Sequence, residues 1–584
     1  MELRRRDVLK LGLFSSAALM LPVERIARTK DAFGDRIATS KLPKPFTVGF
    51  DVPPVLSPAK VNRTYDCYKI DQLQGSAEIL PGLRTPIWGY NGITPGPTIR
   101  VKRGRPVIVR QCNELPARHP QLRYNVWTST HLHGSASLPQ YDGYASDTTG
   151  LVQYKDYRYP NFQNARTLWY HDHGVHITAP NAYMGLAAFY IMHDDLELGL
   201  PIPHGTYDVP LVLRDAMFTK KGELIFDDRS ESSLMGDVIL ANGKPWPVMK
   251  VERRKYRFRL LNASISRSFL LKLSTGDPMY VIGTDGGLMP APAPTTELRF
   301  GMAERYEVII DFAKYSVGQR VVLQNGQLPN NRDEPNTDKV MAFDIVGDAT
   351  DTSGNDIPAV LNPNNEVMAL QPSQAVKTRK LAFERKNSEW TVNGQIWDDV
   401  VRSGYQKVVA NPGLNDVEIW ELENRSGGWF HPVHIHLIDF KILDRNGAPP
   451  RPYEVGPKDV AYVGENETVR VLAQFGPHEG RYMIHCHNLV HEDHDMMVQF
   501  QVGANRPDND PRLADPCKDM PDPDFEDEAQ EDQLEQAEKA AEEARKAAEE
   551  AAEEAAEAAA KAAKADADAL AQAQEAGVLE GTTP

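Results

Sequence analysis

The 584-residue sequence holds only four cysteines, Cys67, Cys112, Cys486 and Cys517. That is too few for a disulfide-built scaffold, and none forms a Cys-x-x-Cys pair of the zinc-ribbon kind. Surplus positive charge is also missing: 65 Lys and Arg stand against 81 Asp and Glu, a net of −16. From Lys518 to Pro584 the count is 6 basic against 21 acidic, so the rest of the chain is close to neutral. A neutral body gives no electrostatic ground for nucleic-acid binding. Long hydrophobic runs are absent too. The apolar stretch Leu11–Val23 is too short to span a bilayer unaided, so no stable membrane span is expected in the mature protein. At 41% hydrophobic and 25% charged, the whole chain has the composition of a soluble globular protein, and its length asks for several domains.

The two ends stand apart from the body. Arg5-Arg6-Asp7-Val8-Leu9-Lys10, ahead of the apolar stretch, resembles a twin-arginine export signal, so residues 1–43 read as signal and linker. The expectation is a periplasmic or extracellular protein. Residues 506–584 form an acidic, Ala-rich tail. Glu535/Lys539, Glu542/Lys546 and Glu557/Lys561 are spaced for helical ion pairs, but no large apolar residue falls between Leu534 and Leu570. Such a helix has no stripe to bury and reads as solvated, helical or disordered.

Within the body an Asn-Gly pair recurs at Asn91-Gly92, Asn242-Gly243 and Asn393-Gly394, at two equal intervals of 151 residues. Each opens a similar passage that ends in a strand-like run at Asn113, Asn262 or Asn424. In the second, Tyr256, Phe258 and Leu260 alternate with Arg257 and Arg259, the pattern of a half-buried strand. Repeats of this length are whole domains. With Pro and Gly frequent between short strands, they predict an all-β chain of three Greek-key β-sandwiches, at residues 44–198, 205–350 and 372–505.

Ten of the sixteen histidines cluster in four passages: His131-Leu-His133, His171-Asp-His173, His431-Pro-Val-His434-Ile-His436, and His485-Cys486-His487 followed by His491 and Met496. On a strand, residues two apart share a face, so each His-x-His delivers two imidazoles to one point. Four pairs supply eight imidazoles, more than one metal takes, which predicts a multinuclear cluster between the first and third domains. A structural zinc site would close with four ligands and needs no such array. Strand parity turns Cys486 and His431 to the opposite face, where His491 and Met496 join them. Two imidazoles, a thiolate and a weak thioether make a blue-copper electron-transfer site. The remaining six, His119, His176, His193, His204, His478 and His494, read as packing or hydrogen-bonding residues. With Cys486 a ligand, at most one disulfide forms among the other three cysteines.

The four motifs, in this order over residues 45–505, resemble the three-domain multicopper oxidases: laccases, bilirubin oxidases and bacterial spore-coat-type laccases. The resemblance implies cupredoxin-like sandwiches with four copper ions. It implies a type 1 copper on His431, Cys486 and His491 with Met496 axial, and a type 2 copper on His131 and His434. It gives the type 3 pair His133, His171, His173, His436, His485 and His487. It also implies that Asp142 and Glu492 serve oxygen reduction, and that electrons enter through His491, the ligand nearest the surface. The implied reaction couples four one-electron oxidations of a small reducing substrate to reduction of O2 to two waters. Phenols, aminophenols and bilirubin-like pigments are the expected donors. Cuprous or ferrous ions are the alternative, weakened because only Met368 falls between Gly347 and Thr378 where a Met-rich insertion would lie. A copper-binding protein without turnover is a further alternative, at odds with the full histidine set.

Overall fold

A computed structural model describes residues 35–504, apart from 121, 123, 227–232 and 387–388, together with 506 and 511. The export-signal motif, Cys517 and almost all of the acidic tail lie outside the described residues. No helix among those described is long and apolar enough to cross a membrane.

Six sheets pair into three sandwiches. In the first, one sheet holds Asp66–Ala77, Thr85–Tyr90, Val107–Glu114 and Gln153–Tyr159, and the other runs Ile99–Lys102, Ala187–His193, Arg166–Asp172, Thr130–His133. The middle sandwich packs a seven-stranded sheet on a five-stranded one. The third combines a sheet around Val417–Asn424 with a four-stranded sheet ordered Val460–Val463, His431–Ile435, Gly480–Cys486, Met497–Val502.

The 151-residue repeat is visible atom by atom. Asn91-Gly92, Asn242-Gly243 and Asn393-Gly394 all carry positive φ at both residues, the requirement of a tight hairpin turn of right-handed twist. In each, the Asn side-chain oxygen accepts a backbone N–H from the sandwich's first strand: Asp71 (2.9 Å), Val212 (2.8 Å) and Ala382 (2.8 Å). Each of these strands then pairs in parallel with the strand that ends at Asn262 or Asn424 or one residue past Asn113. Those three asparagines cap their strands alike, each accepting the N–H two residues on.

One expectation is corrected here. The strand Lys255–Asn262 is not half-buried: Arg257 and Arg259 are as buried as the apolar residues between them. Their face packs against the first sandwich at Thr167, with Glu197 and, from their own sheet, Asp208 and Glu307 meeting them. Arg257 pairs with Glu197 and Glu307, and Arg259 with Asp208 (2.7 Å), Glu307 (2.8 Å) and Glu197 (3.0 Å). Alternation of charge and apolarity here encodes an interdomain ionic layer; burial of a charge is tolerable because every guanidinium finds its carboxylate.

Candidate metal centre

The cage lies where the His-bearing sheets of the first and third sandwiches face each other. In the first, Thr130–His133 and Arg166–Asp172 are antiparallel neighbours with His131 opposite His171. In the third, His434 lies opposite His485 and Val433 opposite Cys486. The parity reading holds: His434 and His485 turn one way, Cys486 and His431 the other. The strands are shorter than expected, however. His173, His436 and His487 each lie one residue beyond a strand end, so backbone outside the ladder aims them.

All eight imidazoles converge, fully buried, in three groups: His131 with His434, His173 with His436 and His485, and His133 with His171 and His487. Nε2 of His131 lies 3.4 Å from Nε2 of His434; Nε2 of His485 lies 3.2 Å from those of both His173 and His436. The outer nitrogens decide which atoms face inward. A carbonyl oxygen can only accept, so Nδ1 of His131, His171 and His434 carries the proton toward Asp142 O, Asp172 O and Asp459 O. His436 Nδ1 donates to Asp142 Oδ2 (2.7 Å). His133 is reversed: Nε2 donates to Asp459 Oδ1 (3.1 Å), turning Nδ1 inward. His133 Nδ1, His171 Nε2 and both nitrogens of His487 are buried with no hydrogen-bond partner.

Lone pairs facing lone pairs across about 3 Å in a dry cavity would be costly with nothing between them. Cations between them remove the cost. Burial, reinforced by neighbouring imidazoles, also drives His131, His133, His434, His436 and His487 far below their ordinary pKa, and His171 and His173 to about 3 and about 4. In these seven rings burial favours the neutral form that can ligate. The residues fit a cluster of metal ions.

On the far side of the strand pair, His431 Nδ1 lies 3.3 Å and His491 Nδ1 3.7 Å from Cys486 Sγ, with 3.3 Å between the two nitrogens. Met496 is buried in the same apolar cluster, and its carbonyl accepts from Cys486 N–H (3.1 Å). The chemistry of this set, two imidazoles and a thiolate in an apolar core, suits copper. The outer nitrogen of His431 meets Ser426 Oγ (2.6 Å), and that of His491 lies 3.2 Å from the Asn488 amide.

Both carboxylates, Asp142 and Glu492, reach the imidazole rings. Glu492 Oε2 is 2.9 Å from His485 Nδ1, and its Oε1 is 3.6 Å from His173 Nδ1. Helix Leu489–Asp493 makes this possible by turning His491 to the thiolate and its neighbour Glu492 to the cage. Burial would raise Glu492, but His485 and His173 outweigh it and hold its carboxyl at about 2. Asp142 lies equally close to His436, but there burial outweighs the pull of Lys155 and pushes the carboxyl up. His491, the expected entry point for electrons, is 0% exposed, its ring stacked under Trp390 (3.9 Å) with Trp429 edge-on (5.6 Å). Asp459, Arg305, Asn488, Trp390 and Ser426 carry no motif and were not found in the sequence. The six histidines read as structural all lie outside the two centres; His119, for one, stacks on Tyr124 and accepts Leu122 N–H (3.0 Å). Cys67 and Cys112 are both free and buried.

Paired sandwiches with a buried imidazole cage beside a thiolate site define an oxidase of several metal ions. Multicopper oxidase family models match residues 73–197, 209–343 and 369–506. The chain is 41% identical to a bilirubin oxidase of Albifimbria verrucaria, over 84% of this chain and 87% of that one. It is 34% identical to a laccase of Bacillus subtilis, over 78% and 98%. The solved structure of a laccase from Pediococcus acidilactici superposes with a TM-score of 0.70 at 29% identity, covering 80% of this chain and 95% of that one. The chain belongs to the multicopper oxidases. It is a laccase-like, copper-dependent oxidoreductase with O2 as electron acceptor.

Proposed function

We propose that the chain carries four copper ions and oxidises phenols, aminophenols or bilirubin-like pigments, four one-electron steps matching reduction of one O2 to two waters. The copper ions, when bound, supply the one-electron redox chemistry and the place where O2 is reduced. His431, Cys486 and His491 would hold the type 1 ion, with Met496 as a weak fourth ligand. His131 and His434 would hold the type 2 ion, and the threes His173/His436/His485 and His133/His171/His487 the type 3 pair. Cys486 is bonded through the backbone to His485 and His487, so a covalent path of a few bonds joins the two centres. Four electrons require four protons. Asp142, at the His436 and His131 rings, and Glu492, at His485, are placed to hand them in. Trp390 excludes water from His491 and leaves a loose, outer-sphere demand on the donor.

The observation that carries this reading is the set of inward, unpartnered imidazole nitrogens beside a separate buried thiol. Oxygen uptake measured side by side with a phenolic donor and with Cu(I) tests it: phenol-driven uptake is expected to exceed that with Cu(I). Uptake with Cu(I) alone would establish the metallo-oxidase instead, and uptake with neither would establish a copper-binding protein. Export rests on Arg5-Arg6; replacing both by Lys should retain the protein in the cytoplasm.

A further inference from the structure

The middle sandwich contributes none of the twelve proposed copper ligands, yet one of its side chains touches the cage's supports. Arg305 opens the strand Arg305–Asp311 and is completely buried. All five of its N–H donors are used. Nε donates to Thr167 O (3.0 Å) on the first-sandwich strand that carries His171. Nη1 donates to Ala303 O (3.0 Å) and Nη2 to Asp285 O (3.2 Å), both in the middle sandwich. The two remaining donors form a fork on the Asp459 carboxylate of the third sandwich, Nη1 to Oδ1 (2.7 Å) and Nη2 to Oδ2. One planar group thus binds all three sandwiches at a single point.

Asp459 is what the cage leans on. Its Oδ1 takes the His133 Nε2 proton (3.1 Å) and its carbonyl the His434 Nδ1 proton (2.8 Å), so one residue orients a ring from each outer sandwich. His133 depends on that bond for its orientation, since its Nε2 is engaged there and its Nδ1 faces inward. Asp285 holds the same backbone: its Oδ2 accepts from Asp459 N (3.2 Å) and Val460 N (3.1 Å), while its Oδ1 accepts Arg305 N (2.7 Å). The fork is also packed shut. A Cβ on Gly134, the residue after His133, would meet Arg305 Nη2 and Asp459 Oδ2 at 2.6 Å, and its φ of +88° favours glycine independently.

We propose that Arg305 is a positioning residue for the imidazole cage, setting the His133 and His434 rings through Asp459 and thereby making the site conditional on docking of the middle sandwich. The inference rests on the copper reading above. A lysine would retain the charge but could not span Thr167, Asp285 and both Asp459 oxygens; planar bidentate geometry is the function.

The test compares wild type, Arg305→Lys and Asp459→Asn, each loaded with copper, by metal content, electron paramagnetic resonance of the cage and blue absorption of the Cys486 site. The blue band serves as the folding control because its ligands belong to the third sandwich alone. Both variants are expected to keep the band while binding cage copper about 10- to 100-fold more weakly, as loss of an outer-shell partner does, with an altered resonance spectrum. A blue Arg305→Lys protein with full cage copper and an unchanged spectrum would overturn the proposal. If that variant does not fold, Asp459→Asn decides in the same terms. Wild type that never takes up cage copper would contradict the copper reading itself, an outcome separate from either variant's.

Discussion

The thiolate site and the imidazole cage occupy opposite faces of one strand pair, yet they are built by different rules. Cys486, His431, His491 and Met496 all belong to the third sandwich, and Cys486 and Met496 lie in its hydrophobic core with Val433, Ile484 and Phe500. The cage takes its rings from two sandwiches and its supports from three, and its outer nitrogens meet Asp142, Asp172, Asp459 and Glu492, with Trp169 stacked on His171 (4.1 Å). On the proposed reading the difference divides the tasks: the apolar, single-domain site would pass electrons, and the polar, interdomain site would bring protons to its substrate.

The comparison can be broken most severely at Cys486. Burial holds its thiol well above the ordinary range, so only a bound cation favours the thiolate. Cys486→Ser should abolish the blue band and reduce donor-driven oxygen uptake to background, while copper in the cage persists. Loss of all copper would show that the two sites are not independent.

Next in size, Asp142→Asn should lower turnover about a hundredfold or more with reduction of the type 1 site by donor unchanged, as rapid mixing without oxygen would measure. An equal slowing of that reduction would refute the division of labour.

Acid separates the regions differently. Burial raises Asp208, but Arg259 and Arg257 outweigh it and lower it to about 2; Glu197 and Glu307 are likewise held below their ordinary values by the two arginines. Carboxylates depressed on folding contribute stability that is present above their unfolded values near pH 4 and lost as pH falls through the folded ones. The ionic layer between the first and middle sandwiches should therefore fail between about pH 4 and 2. The unfolding temperature of Glu307→Gln, compared with wild type, should converge over this window and be lower above it; a pH-independent gap would contradict the assignment.

Smallest is Ser426→Ala, which removes the partner of His431 Nε2 at a cost of about 1 kcal/mol. A shifted type 1 potential with an unaltered cage spectrum is expected. A cage that changes would mean the sites communicate through more than their shared strand.

Much of this was legible in the chain. Equal Asn-Gly spacing gave the three sandwiches because the turn needs two positive φ values that few other dipeptides adopt. Parity around Cys486 separated the two centres because successive residues of a strand face opposite sides, which sets Cys486 against His485. What escaped was whatever depends on docking. Arg257 and Arg259 read as solvent-facing because local alternation cannot reveal a second sandwich lying on that face. Arg305 and Asp459, 154 positions apart, meet only after all three sandwiches close, and neither stands in a pattern. His491 lies under Trp390, a stacking set by tertiary contact that no spacing from Cys486 discloses.

The most direct test of two centres is a crystal of copper-loaded protein measured on both sides of the copper absorption edge. The account requires four anomalous peaks: one between His431, Cys486 and His491, and three inside the ring of His131, His133, His171, His173, His434, His436, His485 and His487. A single peak in the cage, or none beside Cys486, would contradict it.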